Sequence, residues 1–95
     1  MKRRRGRSNK TKGQNQREHA IRRARERYNL YVSSHEYLEA CRRIREGNAT
    51  FIRRESLRVV HYSVELAGRI VPVVYDSSRG TIVTVLPEPM EAGVA

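Results

Sequence analysis

Cysteine is nearly missing from this sequence, and its scarcity restricts the chemistry of the chain. Cys41 is the single cysteine among 95 residues, so no disulfide can form within one molecule. Three histidines and one cysteine do not reproduce the paired C-x-x-C or H-x-x-x-H spacing of structural zinc sites. We therefore expect no metal and no other cofactor, and a reducing, cytoplasmic setting.

Long apolar runs are missing as well. No segment approaches the roughly 18–20 apolar residues that cross a membrane. No apolar segment follows the basic N-terminus, as it would in a secretory signal. The sequence also lacks the G-x-x-x-x-G-K-[ST], G-x-G-x-x-G, G-x-S-x-G and H-E-x-x-H motifs. These absences predict no membrane partner and exclude the familiar nucleotide-binding and hydrolase sites.

Acidic residues are outnumbered two to one, with 10 Asp and Glu against 20 Lys and Arg and a net charge of +10. Such a surplus predicts a polyanionic partner, with nucleic acid as the leading candidate. The first 17 residues carry eight of the basic groups and no acid. These groups are Lys2, Arg3, Arg4, Arg5, Arg7, Lys10, Lys12 and Arg17.

The residues between these charges are small and polar, so the segment cannot bury enough apolar surface to offset its ordering entropy. We predict that residues 1–15 form a disordered basic arm that binds phosphates. A solubility tail and a localisation signal are the alternatives. Residues 16–88 are predicted to form a single α+β domain, and residues 89–95 a flexible C-terminal end.

A first helix is predicted from Gln16 to Tyr28, because apolar residues recur there at helical spacing. On the opposite side of this helix, His19, Arg23 and Arg27 form a row with i, i+4, i+8 spacing. The row is either an ordinary solvated helix face or a functional surface.

Ser33 and Glu36 have the spacing of a capping box and predict the start of a second helix. Gly47 is suited to end it. The predicted buried stripe of this helix consists of Tyr37, Leu38, Cys41 and Ile44. Glu39 and Arg43 are predicted to pair on its solvent-exposed side.

Three β-rich runs follow, at residues 57–66, 69–75 and 81–86, and residues 49–54 are a candidate fourth strand. Short connections predict an antiparallel meander. The apolar face of this sheet would be covered by the two helices. Its polar face would carry His61, Ser63 and Glu65, with Arg53, Arg54 and Arg58 nearby.

RNA cleavage without metal needs a base, an acid and positive charge at the phosphorus. His61, Glu65 and an arginine could supply these groups. The same alternation of polar residues also occurs on any half-exposed strand. Aromatic residues show no clustering on neighbouring strands, so a base-stacking sheet surface is not expected.

Three pieces of sequence carry a family resemblance. They are HAIRR continuing to ERY at residues 19–28, Ser63-Val64 before Gly68, and VVYD followed by TIVTVL at residues 73–86. Together they resemble small bacterial and phage proteins of the barnase, EndoU, colicin and RelE-like superfamily. The resemblance implies two N-terminal helices packed on a three- to four-stranded antiparallel sheet. It also implies metal-independent RNA cleavage, or binding to RNA and the ribosome.

Carried over by position, the resemblance implies functional roles for His19, Arg23, Arg27 and Thr84, and adds Arg53, Arg58 and His61 as candidates. One hypothesis is a toxin-like or phage-encoded endoribonuclease, with RNA favoured over DNA as partner. A second is a nucleic-acid-binding or ribosome-binding protein without catalysis. A third is a phage inhibitor of a host factor. An antitoxin or a host protein is therefore a further candidate partner.

Overall fold

The computed structural model describes residues 12–88 and contains two helices followed by four strands. The helices are α1, Lys12–Tyr28, and α2, Ser34–Arg45. The strands are β1, Thr50–Arg54; β2, Val59–Leu66; β3, Arg69–Asp76; and β4, Thr81–Val85. The predicted α+β architecture is confirmed, and the candidate fourth strand forms as β1. The remaining predictions for residues 1–11 and 89–95 lie outside the described residues.

Helix α1 begins four residues before the predicted start at Gln16. Residues 12–15 are polar and carry no apolar periodicity, so the pattern could not show that they are helical. The early turns are attached to the sheet, because Thr81 Oγ1 donates a 2.6 Å hydrogen bond to Gln16 Oε1. The predicted basic arm therefore loses its last four positions to α1.

Helix α2 is capped as its sequence predicts. Ser33 accepts from the Glu36 amide, and the Glu36 carboxylate accepts from the Ser33 amide, which together form the capping box. Gly47, at φ 81°, follows the last turn in the left-handed conformation that glycine tolerates.

Two details of the α2 prediction are wrong. Leu38 is 51% exposed, because the small Ala40 takes the inward position and lets the helix approach the sheet. Glu39 pairs with Arg42 and not with Arg43. Arg43 is directed instead toward the sheet, where it donates to the Glu65 carbonyl oxygen at 3.4 Å.

The four strands form one antiparallel sheet in the order β1-β2-β3-β4. The two-residue turn between β2 and β3 has positive φ at Ala67 (51°) and Gly68 (86°), as type I′ hairpin turns require. Pro72 lies in the central strand β3 without breaking it. The Pro72 carbonyl accepts from the Leu86 amide, so the polar backbone groups of Pro72 face the end of β4. The missing N–H of proline therefore removes no hydrogen bond between β2 and β3.

The two faces of the sheet differ in what covers them. Both helices pack on one face, which we call the helix face, and the core there contains Val64, Val71, Val73, Ile82 and Val85. The other face, called the open face, has no helix over it in the described part of the chain. Along β2 and β3 its residues alternate with those of the core, as predicted for the polar face, whereas a register shift interrupts the alternation in β1 and β4.

Helix α1 protects the edge of the sheet at β4. Tyr28 donates from its hydroxyl to the Leu86 carbonyl at 2.8 Å, and Arg27 donates to the Val85 carbonyl at 3.2 Å. The fully buried Ala24 lets α1 approach closely. Strand β1 forms the other edge and lies under neither described helix. Neither α1 nor α2 has the length and apolar character needed to cross a bilayer.

Candidate nucleic-acid interface

Many arginines of the described domain have no acidic neighbour. Among residues 14–88, eight arginines have no carboxylate oxygen within 4.0 Å. They are distributed over both helices and β1: Arg17, Arg22, Arg25, Arg27, Arg43, Arg45, Arg53 and Arg54. Several instead donate to backbone carbonyls, which leaves their positive charge uncompensated.

The remaining arginines are neutralised within the fold. Arg42 bonds to both Glu39 and Glu46, and Arg23 bonds to Glu26 at 2.7 Å. Arg58 and Arg79 flank Asp76 at 3.4 and 3.8 Å. Arg69 lies 4.0 Å from Glu88. Two of the predicted site residues, Arg23 and Arg58, therefore have carboxylate partners, whereas Arg27 and Arg53 do not.

Asp76 holds the turn between β3 and β4. Its Oδ1 accepts from the amides of Ser78 and Arg79 at 3.0 and 3.2 Å. Burial alone would raise the pKa of Asp76, but these hydrogen bonds and the contact with Arg58 outweigh it and hold the pKa below its usual value. Arg58 therefore has a structural contact that competes with the predicted role in binding nucleic acid.

His19 lines a pocket of about 520 Å³ between the first turns of α1 and β4. Its neighbours there include Glu18, Arg22 and Val83. Burial lowers the pKa of His19, and the charges of Arg23 and Arg22 lower it further. A phosphate in this pocket would reverse the effect of the arginines and favour the protonated imidazole. The pocket contains both an arginine and a carboxylate, so its charge alone does not mark it as an anion site.

Strand register aligns three predicted site residues across the open face. Arg53 of β1 pairs with His61 of β2, His61 pairs with Val74 of β3, and Val74 pairs with Thr84 of β4. Directly paired side chains have Cβ atoms about 5 Å apart. Arg53 and His61 are thus neighbours, whereas Thr84 is two strands, or about 10 Å, from His61.

His61 is held by an acidic partner that the sequence analysis did not identify. Its Nε2 lies 2.7 Å from Glu55 Oε1, and only 11% of the His61 side chain is exposed. Since an ionised carboxylate only accepts, the ring nitrogen donates in this bond. The bulge after Phe51 and the short hairpin between β1 and β2 bring Glu55 to this position. Nothing in the spacing of residues 55 and 61 indicates the contact before the hairpin register is known.

The structure does not bring His19 and His61 together. His19 lies beside β4, while β3 and β4 separate His61 from that edge. Acid and base must both reach one phosphodiester, at reacting distances of about 3–3.5 Å. The two histidines therefore cannot act as one acid–base pair. Arg27 is eight residues farther along α1 than His19, about 12 Å at the helical rise, and lies near the end of β4.

Aromatic side chains do cluster on neighbouring strands, contrary to the sequence analysis. The Phe51 ring lies 6.2 Å from the Tyr62 ring, and the Tyr62 ring lies 5.7 Å from the Tyr75 ring, centre to centre. Both pairs are edge to face, with interplanar angles of 83°. The three residues come from β1, β2 and β3, and only the strand register reveals their proximity.

Among the described residues, no three His, Cys, Asp or Glu side chains are grouped closely enough to hold a metal ion. Comparisons with protein families, curated proteins and solved structures gave no match for the chain. The superfamily resemblance therefore stays a prediction from the three sequence pieces.

Proposed function

We propose that the protein binds RNA through its arginine surplus. The observation that carries this proposal is the set of eight arginines that have no carboxylate oxygen of the described residues within 4.0 Å. Arginine binds phosphate with a planar pair of N–H donors and also stacks on bases. Exposed like charges repel one another, and phosphates remove that repulsion. The sequence adds Lys2, Arg3, Arg4, Arg5, Arg7 and Lys10 ahead of α1.

RNA is the proposed polymer because the family resemblance points to it. Arginine contacts with phosphate would occur equally well on DNA, so charge alone does not distinguish the two. RNA differs by its 2′-hydroxyl and by its unpaired loops, whose bases are accessible to side chains. Single-stranded DNA of the same sequence is therefore the necessary comparison in every binding experiment.

Two exposed arginines provide the test of this proposal, because only one of them has acidic partners. Arg22 has no carboxylate within 4.0 Å among the described residues, whereas Arg42 is bonded to Glu39 and Glu46. We expect Arg22→Gln to weaken RNA binding and to reduce the salt dependence, log K against log salt, by about 0.7. Arg42→Gln should leave that slope unchanged. Equal slopes for Arg22→Gln and wild type would contradict a phosphate contact at α1.

Ribonuclease activity is a second candidate function, and the His61–Glu55 pair favours it. Glu55 orients the imidazole, and Arg53 is the directly paired neighbour of His61. In such a reaction Nδ1 of His61, the nitrogen that does not donate to Glu55, would take the proton of a 2′-hydroxyl, and the 2′-oxygen would attack phosphorus. The bond to the 5′-oxygen would break, with that oxygen taking a proton from water. Arg53 would stabilise the charge on the phosphorus oxygens.

Cleavage is tested by incubating end-labelled RNA with the purified protein in EDTA. Activity of this kind gives a 2′,3′-cyclic phosphate product that is absent with His61→Asn. The matched control is His35→Asn, which changes an exposed histidine of α2. Intact RNA with the wild-type protein would leave binding as the function and remove catalysis. Equal cleavage by His61→Asn and wild type would also remove the proposed site.

A further inference from the structure

Phe51, Tyr62 and Tyr75 form an aromatic row whose end at Phe51 is exposed. Exposure rises along the row, from 5% at Tyr75 through the half-buried Tyr62 to 57% at Phe51. Phe51 pairs with Tyr62 across β1 and β2, so it lies on the helix face of the sheet. Neither described helix extends over β1. The row thus begins in the core and ends at solvent.

The geometry of the row presents a ring surface to solvent. An edge-to-face contact at 83° uses at most one face of the Phe51 ring. At least one face is therefore left for another planar group. Tyr62 is itself fixed by its contact with Tyr75, so Phe51 rests on a rigid support. Stacking on a ring that is already ordered costs less conformational entropy.

Arginines surround this row at both ends. Arg54 pairs with Val60 and so lies on the same face of the sheet as Phe51, and it has no carboxylate within 4.0 Å among the described residues. At the other end, the Arg45 side chain and the Tyr75 hydroxyl both lie beside Gly80. Each would be 3.6 Å from a Cβ atom added to that glycine. An exposed ring flanked by uncompensated cations has the chemistry of a single-stranded nucleic-acid site.

We infer that Phe51 stacks on an unpaired base of single-stranded RNA while Arg54, on the same face of the sheet, contacts an adjacent phosphate. The inference rests on the proposed function and specifies its substrate as single-stranded. A base in a duplex is covered on both faces by its neighbours and cannot stack on Phe51. Ile52 and Leu57 of the same hairpin are exposed as well, so a protein partner is the alternative occupant of this surface. RNA binding that Phe51→Leu leaves unchanged would point to that occupant.

The experiment uses the full chain and a short single-stranded RNA containing 2-aminopurine, whose fluorescence falls on stacking. Wild type should quench the probe and bind the single strand more tightly than the same sequence as a duplex. Phe51→Leu keeps an apolar side chain but removes the ring. We expect it to abolish the quenching and to weaken single-strand binding about 5- to 100-fold, with duplex binding unchanged.

Two further variants complete the design. Phe51→Trp keeps a ring at this position and should restore the quenching. Tyr31→Leu removes another exposed aromatic side chain, which lies under Arg25 at 4.3 Å, and should leave the quenching intact. Circular dichroism checks that each variant is folded.

The ways in which this inference can fail are distinguishable. If wild type binds RNA and Phe51→Leu quenches the probe equally, the stacking inference is wrong and the proposed function stands. Equal weakening on single strands and duplexes would also overturn the inference, because stacking on an unpaired base cannot explain it. If wild type binds no RNA, the proposed function itself fails.

Discussion

The hydroxyl of Tyr37 donates a 2.6 Å hydrogen bond to the Ile82 carbonyl, joining the first turn of α2 to β4. Both residues are almost completely buried. Burial raises the pKa of Tyr37 far above that of a free tyrosine, so the hydroxyl keeps its proton and remains a donor. This contact fixes the distance between the second helix and the strand that α1 also covers.

Removing this hydroxyl is expected to destabilise the fold. Tyr37→Phe leaves the Ile82 carbonyl without this donor in a buried position, at a cost of about 1–2 kcal/mol in the free energy of unfolding. Urea denaturation followed by circular dichroism measures the change. Tyr31→Phe, at an exposed tyrosine, is the control and should unfold like wild type. Equal stability of Tyr37→Phe and wild type would show that this hydrogen bond makes no net contribution to the free energy of unfolding.

The capping box of α2 gives a second prediction for stability. Ser33→Ala removes the side-chain acceptor for the Glu36 amide, which is 3.1 Å away. The expected decrease is about 1 kcal/mol in the free energy of unfolding. Ser34→Ala is a matched control, since Ser34 is the first residue within the helix and does not form the box. A decrease at residue 34 as large as that at residue 33 would contradict the assigned cap.

His19 predicts a pH dependence of stability. Its pKa in the fold lies below 6.5, mainly through burial and then through Arg23 and Arg22, with Glu26 opposing them. The unfolded chain therefore binds a proton more readily at this residue. The stabilising effect is complete above about pH 6.5 and is lost as the pH falls toward the folded pKa.

The measurement is the unfolding midpoint in urea between about pH 7 and pH 5.5, where carboxylates contribute little. Wild type should lose stability as the pH falls, and His19→Gln should lose less. Parallel profiles for the two proteins would show that His19 does not contribute. RNA added to wild type should oppose the destabilisation, because phosphates near Arg22 and Arg23 favour the protonated imidazole.

Local signals in the sequence predict the elements of this fold well. The capping box at Ser33 and the turn at Ala67-Gly68 depend on neighbouring residues only, and both form as predicted. Helix α1 starts at Lys12, earlier than predicted, because its first turn carries no apolar residue that a periodic pattern could register. Leu38 is predicted to be in the core because it is apolar. In the structure Ala40 is buried instead, since its small side chain lets α2 pack closer to the sheet.

The candidate site depends on contacts between strands, which a single sequence does not supply. Glu55 reaches His61 only through the register of the β1–β2 hairpin, including its bulge. The row of Phe51, Tyr62 and Tyr75 likewise requires the pairing of three strands. The surplus of arginine is visible in the composition. The composition does not show which arginines lack acidic neighbours.

Salt-dependent binding of RNA tests the central claim most directly. Fluorescence anisotropy of a labelled single-stranded RNA is measured with the full chain from about 0.05 to 0.2 M salt, and repeated with the six cations before α1 changed to glutamine. The proposal predicts binding at about 0.15 M salt with a steep negative slope, which becomes shallower by about 0.7 for each phosphate that the variant no longer binds. The absence of binding at that ionic strength, or affinity that does not change with salt, would contradict it.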